Sequence, residues 1–283
     1  MKNKMNVNIS KILAVVIIFM VYGAGFSSCK KTKNQSAKEI PENYYSNRQD
    51  LKNFVIPEGT TKIGEGAFRN CSNLVSISIP SSTISIGDWA FNRCSNLRTI
   101  TIPDSVSCIG WGTFMGCSSL KSVDLPRNLK NIGDMSFQGC SQLTNIVIPN
   151  TVDSIGNHAF QNCESLKEIT IPQDITYVGE NAFNSCVELK SFIIPDGITT
   201  LKWGTFMGSI GLTTISIPSS VTKIENDVFH GCTSLQSLII PNSVTSIGED
   251  AFYECYRLVL TIPKCFKENE KIGLGYCKQV IFY

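Results

Sequence analysis

Ten of the eleven prolines in this chain fall on a ruler. Pro57, Pro80, Pro103, Pro126, Pro149, Pro172, Pro195, Pro218 and Pro241 stand 23 residues apart, and Pro263 follows after 22. Eleven residues beyond each of the first nine comes a phenylalanine: Phe68, Phe91, Phe114, Phe137, Phe160, Phe183, Phe206, Phe229 and Phe252. Three further on is a cysteine in eight of the nine units, with Ser209 the gap. A fixed period of this size marks units that stack on copies of themselves, not one globular core. The expected fold is a repeat solenoid, mainly β, with a parallel sheet and short helical or 3-10 turns. Function is then to be sought on an extended surface.

One unit reads P-x-x-V-x-x-I-G-x-x-A-F-x-x-C-x-x-L-x-x-I-x-I. Its end has period two, so Ile100 and Ile102 should face inward and Thr99 and Thr101 outward. Each following proline closes the strand, where a missing N–H does least harm. A second extended piece follows with Val152 and Ile155 inward, and then glycine, in seven of nine units, turns the chain. The spacing in Ala159-Phe160-x-x-Cys163 points to one helical or 3-10 turn. These residues carry a resemblance. The LxxIxIPxxVxxIGxxAFxxC unit is similar to that of the Treponema pallidum-type, or BspA-like, leucine-rich-repeat family. The resemblance spans about residues 48–283. Departures are Lys202 and Ser209 in the seventh unit and Glu225 in the eighth, in place of Gly, Cys and Gly.

The ends of a solenoid need covers. Leu51, Phe54 and Ile56 supply a leading half-unit, and Tyr44-Tyr45 are placed to cover its edge. Val280-Ile281-Phe282-Tyr283 reads as a final strand, and Lys264–Lys271 as a charged cap insertion. Before the repeats, Lys2, Lys4 and Lys11 form a positive n-region and residues 12–26 an uncharged apolar stretch, short for a membrane span. Phe26-Ser27-Ser28-Cys29 resembles a bacterial lipobox. The expected organisation is a lipoprotein signal peptide over 1–28, lipidation at Cys29, a flexible tether over 29–47 and the solenoid over 48–283. An uncleaved anchor and an ordinary signal peptide are the alternatives. The implied location is the bacterial envelope, lipid-anchored in the outer membrane and exposed at the surface.

Removing residues 1–28 takes three of the 25 basic residues and none of the 23 acidic ones, leaving a formal charge near −1. That balance argues against nucleic acid, which is bound chiefly by clustered Lys and Arg. The twelve cysteines of an exported chain ordinarily signal disulfides. Here Cys71, Cys94, Cys117, Cys140, Cys163, Cys186, Cys232 and Cys255 share one column. Rungs about 4.8 Å apart fit poorly to the roughly 3.8 Å Cβ separation of a disulfide. They read as small buried hydrophobes. Cys277 belongs to the same column in a degenerate last unit, whereas Cys108 and Cys265 are expected to be semi-exposed and have no sequence partner.

No catalytic motif appears. His158 and His230 occupy different positions of units three rungs apart, and no zinc-type spacing, GxSxG or P-loop occurs. No enzyme activity, cofactor or metal is expected. The outward strand positions, Ser76/Ser78, Thr99/Thr101, Ser122/Asp124, Asn145/Val147, Glu168/Thr170, Ser191/Ile193, Thr214/Ser216 and Ser237/Ile239, make a weakly charged docking face. The hexapeptide Trp-Gly-Thr-Phe-Met-Gly occurs at Trp111 and again at Trp203, with Trp89 one position further into its unit. Exposed indoles stack on sugars or anchor proteins. The candidate binding residues are therefore Trp89, Trp111, Trp203, Thr99, Thr101, Asp124, Asn145, Glu168, Thr170, Ile193 and Ile239. Generic strand propensity and packing of the indoles over a neighbouring turn are the plainer explanations. The family resemblance implies adhesion or protein interaction, with a host or bacterial surface protein as partner and the membrane touched only through the lipid. A glycan-binding module using the tryptophans and a periplasmic scaffold are the alternatives.

Overall fold

Each 23-residue unit makes one rung, and successive rungs hydrogen-bond along three lines. The computed structural model describes residues 38–283. The first line is a ladder of outward-facing strands, Asn53–Val55, Ser76–Ser78, Thr99–Thr101, Ser122–Asp124, Asn145–Val147, Glu168–Thr170, Ser191–Ile193, Thr214–Ser216, Ser237–Ile239, Val259–Ile262 and Gln279–Phe282. The second begins with Lys38–Ile40 and Thr60–Ile63 and continues as two-residue strands from Ser85–Ile86 to Ser246–Ile247. Pairing is parallel with a register of one unit, as in Thr99↔Ser122 and Cys108↔Asn131. Alternation puts Ile100 inside and Thr99 and Thr101 outside, as the period-two reading requires. Val152 and Ile155 are likewise buried.

The third line runs through the turn that carries the phenylalanine, and it is not helical. Ala67, Arg69 and Cys71 donate their amides to Gly64, Gly66 and Phe68 within the rung, at 2.9–3.2 Å. The amides between them, of Gly66, Phe68 and Asn70, bond Asp88, Ala90 and Asn92 of the next rung at 2.7–2.8 Å. A chain that alternates local and inter-rung bonds cannot be a helix. The cause lies at two positions per rung held in the left-handed region, Trp89 (φ 57°) and Arg93 (57°) in one unit, Gly112 (56°) and Gly116 (73°) in the next. Among the described residues 3-10 helix occurs only near the C-terminus, at Lys264–Phe266, Glu270–Ile272 and Leu274–Tyr276. The repeated glycine before this turn also has a role other than the one its turn-like position implies. Its φ is ordinary, and a Cβ on Gly133 would lie 2.8 Å from the carbonyl carbon of Gly110. It lets the backbones of adjacent rungs close up.

The nine phenylalanines fill the centre. All are buried, and neighbours stack at 5.3–6.0 Å with planes within 14°. Full burial of such a ring is worth about 1.5–3 kcal/mol. The cysteine column beside it is buried and free of disulfides. Its thiols are more than small hydrophobes, because each donates to a carbonyl of the preceding rung. Cys94 Sγ bonds Phe68 O at 3.1 Å, Cys140 Sγ bonds Phe114 O at 3.2 Å, and Cys255 Sγ bonds Phe229 O at 3.1 Å. Ser209 keeps the bond, with its hydroxyl 2.8 Å from Phe183 O, which explains why serine is tolerated at the gap. Burial pushes the thiols of Cys117, Cys186 and Cys232 up to about 12. Cys277 is half-buried, whereas Cys108 and Cys265 are exposed.

At the leading end the solenoid starts earlier than expected. Lys38–Ile40 pairs with Thr60–Ile63, and the Tyr45 ring stacks on Phe68 at 5.1 Å as the head of the aromatic column. Cys71 Sγ donates to Tyr45 O. Residues 38–47, expected within the tether, therefore form a partial rung. The physical reason is that Tyr45 and Ile40 lie one period before Phe68 and Ile63 and bury the same faces. At the other end Gln279–Phe282 pairs with Val259–Ile262, and buried Phe266 and Ile272 close the core. The expected signal peptide, the expected lipidation site Cys29 and the first part of the expected tether lie outside the described residues.

Candidate binding faces

The expected binding residues fall on two separate surfaces. Thr99, Thr101, Asp124, Asn145, Glu168, Thr170, Ile193 and Ile239 point outward from the first ladder, where alternation with inward apolar residues (Ile100, Val123, Ile146, half-buried Ile169, Phe192 and Leu238) fixes their direction. The face is knit along the stacking direction, since Thr101 Oγ1 donates to Asp124 Oδ2 at 2.9 Å. A shallow cleft of about 510 Å³ opens over Ser122, Asp124, Arg127, Asn145 and Val147. The face also carries exposed aliphatics, with Val147 at 76%, Ile193 at 71% and Ile239 at 65% exposure. They alternate with hydroxyls rung by rung, because Thr170 lies between Val147 and Ile193, and Ser216 between Ile193 and Ile239. Thr261 and Ile281 continue the alternation in register.

The tryptophans lie after the second ladder, at the entry to the turn. Trp89 and Trp111 meet across adjacent rungs, ring centroids 4.9 Å apart and tilted by 55°. The contact depends on Gly112, where a Cβ would come within 2.5 Å of the Trp89 ring. Arg69 lies over the Trp89 ring, 5.9 Å from its centroid, and Asp88 accepts the Trp111 amide at 2.7 Å. Trp203 is not brought to this pair. Its indole N–H donates to Asp227 at 3.0 Å and its amide to Glu225 at 3.1 Å. A cleft of about 320 Å³ beside it is lined by Lys223, Glu225, Asn226 and Ser246. Burial raises the Glu225 carboxyl, but hydrogen bonds from Lys223 and the Trp203 amide, with the charge of Lys202, bring it below its ordinary value. Lys202 and Glu225 occupy the close-packing glycine position in consecutive rungs and join through a 3.6 Å ion pair. Arg69, Glu225 and Asp227 carry no repeat signature, so the sequence did not single them out as partners of the indoles.

The histidines remain apart, each bonded within its own turn, His158 to Gln161 at 2.9 Å and His230 to Asp227 at 2.8 Å. Among the described residues no cluster of His, Cys, Asp and Glu is placed to hold a metal ion.

Parallel rungs, an aromatic column and an open outer ladder define a leucine-rich-repeat solenoid. The chain belongs to the BspA-type leucine-rich-repeat family, whose repeat region matches residues 38–167 and 153–279 in six copies. It is similar in structure to a leucine-rich-repeat protein from Bacteroides ovatus, with 25% identity, a TM-score of 0.73, and coverage of 87% of this chain and 75% of that one. The leucine-rich-repeat protein of Treponema pallidum shares 25% identity over 83% of this chain and 87% of its own, with a TM-score of 0.50. The pneumococcal vaccine antigen PcpA, at 20% identity and a TM-score of 0.57, covers 87% of this chain and 71% of its own and shares the fold. No curated protein matches the chain significantly. Leucine-rich-repeat proteins generally serve as protein–protein interaction scaffolds and are typically non-enzymatic.

Proposed function

We propose that this is a non-catalytic, lipid-anchored scaffold of a bacterial envelope that binds a protein partner on the outer face of its first ladder. The observation that carries this reading is the row of highly exposed aliphatics, Val147, Ile193, Ile239 and Ile281, alternating with hydroxyls on one open face. Solvent-exposed branched aliphatics in register add nothing to the core, and apolar anchors among polar neighbours are what a protein interface uses. The lipobox-like Phe26-Ser27-Ser28-Cys29 supports lipid anchoring, and the proposed site is the outer membrane with the repeats outside the cell, where adhesion to a host or bacterial protein becomes available. Protease shaving of intact cells tests the location. Loss of the repeat domain with a periplasmic marker protected supports it, and full protection replaces adhesion with a periplasmic scaffold. The Ile193→Glu/Ile239→Glu variant tests the face and should abolish cell adherence without changing the fold.

A second reading is favoured by the Trp89–Trp111 pair, with Trp111 47% exposed, which offers a stacking platform for a sugar ring. Trp111→Ala with unchanged glycan-array binding sinks it.

A further inference from the structure

The near-neutral net charge hides a segregation by column. In the position immediately before the first ladder strand, successive rungs carry Lys52, Val75, Arg98, Lys121, Thr144, Lys167 and Lys190, five cations and no anion. In the position after the close-packing glycine, the rungs carry Glu65, Asp88, Trp111, Asp134, Asn157, Glu180, Trp203, Asn226 and Glu249, five acids and no cation. From Lys52 to Lys167 the basic column is linked through the backbone. Val75 N bonds Lys52 O at 2.7 Å, Arg98 N bonds Val75 O at 3.2 Å, Lys121 N bonds Arg98 O at 2.8 Å, Thr144 N bonds Lys121 O at 3.4 Å, and Lys167 N bonds Thr144 O at 3.0 Å. All five cations are exposed, and among the described residues none takes part in an ion pair.

Stacked like charges one or two rungs apart, about 5–10 Å at strand spacing, repel one another and do nothing for the fold. What such a row does provide is a track of positive potential roughly 29 Å long, counted along six rung spacings from Lys52 to Lys190. Beside it the first strand position presents Asn53, Ser76, Thr99, Ser122 and Asn145, an uncharged column of hydroxyls and amides, with Ser76 Oγ donating to Asn53 Oδ1 at 2.7 Å. The first acid in that column is Glu168, next to Lys167, so the Lys52–Lys121 half is the more positive.

We propose that this track binds a linear acidic polysaccharide lying along the stacking direction, its carboxylates or sulfates on the cations and its hydroxyls on the Asn/Ser/Thr column. Single-stranded nucleic acid fits less well, because base stacking needs aromatic side chains interleaved with the cations, and the basic column and the Asn/Ser/Thr column hold none. An acidic peptide would offer carboxylates to the cations but few hydroxyls to the Asn/Ser/Thr column, whereas a polysaccharide supplies hydroxyls on every ring. This goes beyond the protein-binding reading and does not rest on it, since the aliphatic row occupies a different column of the face.

The test is binding of the purified protein to heparin and to polygalacturonate, with dextran as the neutral polymer, across a salt series. Wild-type protein should bind both polyanions and not dextran, with affinity falling as salt rises. Arg98→Glu/Lys121→Glu should weaken binding about tenfold or more, while Lys62→Glu/Lys130→Glu, the same charge change beside the second ladder, should change it less than about threefold. Both variants should retain the wild-type circular dichroism and melting. Absence of polyanion binding, or equal loss in the two variants, overturns the proposal. Tighter binding to single-stranded DNA than to either polysaccharide overturns the choice of ligand.

Discussion

Phe137→Ala should do more than lower stability; it should divide the molecule. Phe137 is fully buried between Phe114 and Phe160, 5.3 Å from each. Its amide bonds Ala159 O of the next rung at 2.8 Å, and its carbonyl accepts the Cys163 thiol at 3.2 Å. Truncation leaves a hole that the ladders on either side hold open, which sets the cost at about 3–5 kcal/mol. The two ring pairs supply about 1–3 kcal/mol of that. In a stacked repeat, stability is a sum over rungs and their interfaces, so the loss concentrates at mid-chain. Tryptophan fluorescence in urea reads the consequence, since Trp89 and Trp111 precede Phe137 and Trp203 follows it. Trp203→Phe leaves the leading reporters, and Trp89→Phe/Trp111→Phe leaves the trailing one. Without the Phe137 change the two reporters should share a midpoint, and with it they should separate. Phe252→Ala, which has one stacked phenylalanine neighbour, should cost less and leave the reporters together. A Phe137→Ala cost below about 1 kcal/mol, or coincident reporters, would refute the load carried by the aromatic column.

Other consequences follow from the same geometry. Cys140→Ser keeps the donor to Phe114 O, whereas Cys140→Val puts a methyl where sulfur sits 3.2 Å from that oxygen; chemical denaturation should find the valine variant less stable by about 1 kcal/mol, the opposite of a purely apolar site. At pH 8, thiol labelling with mass-spectrometric mapping should modify Cys108 and Cys265 rapidly and leave the buried column untouched. The reference thiol value is 9.0, while buried Cys117, Cys186 and Cys232 ionise near about 12, so the unfolded chain loses protons first. Stability should therefore be full below pH 9 and fall as pH rises from 9.0 towards 12, measured as the urea midpoint; a flat profile contradicts the burial of these thiols. Ser136 carries a buried hydroxyl with no partner among the described residues, so Ser136→Ala should be neutral or stabilising by about 1 kcal/mol in the same assay.

The interior of the rung was legible because three constraints repeat without drift: alternation at Ile100 and Ile102, the phenylalanine, and the cysteine. What escaped reading depends on relations between rungs. The role of the cysteine as a donor requires knowing that its sulfur faces the carbonyl 26 residues earlier, which burial alone does not reveal. The apolar spacing of the turn points to a helical or 3-10 turn, whereas non-glycine residues such as Trp89 and Met135 stand there at positive φ, which spacing does not reveal. Residues 38–47 were hidden because Tyr45 replaces the phenylalanine and Arg48 stands where the cysteine would be. For the site, outward strand residues were readable from period two. Their separation from the tryptophans was not, since both occupy positions of the same 23-residue unit and only the path of the rung puts them on different surfaces. The basic track was obscured by averaging, as its cations and the acids of the other column cancel in the net charge.

The central claim, that the first ladder is the docking face, is tested most directly by photo-crosslinking in living cells. A benzophenone amino acid replaces Ile193 on the ladder or, separately, exposed Thr222 beside the second ladder. A discrete protein adduct from position 193 and none from position 222 is the predicted result. No protein adduct from position 193, or the same adducts from both positions, would contradict it.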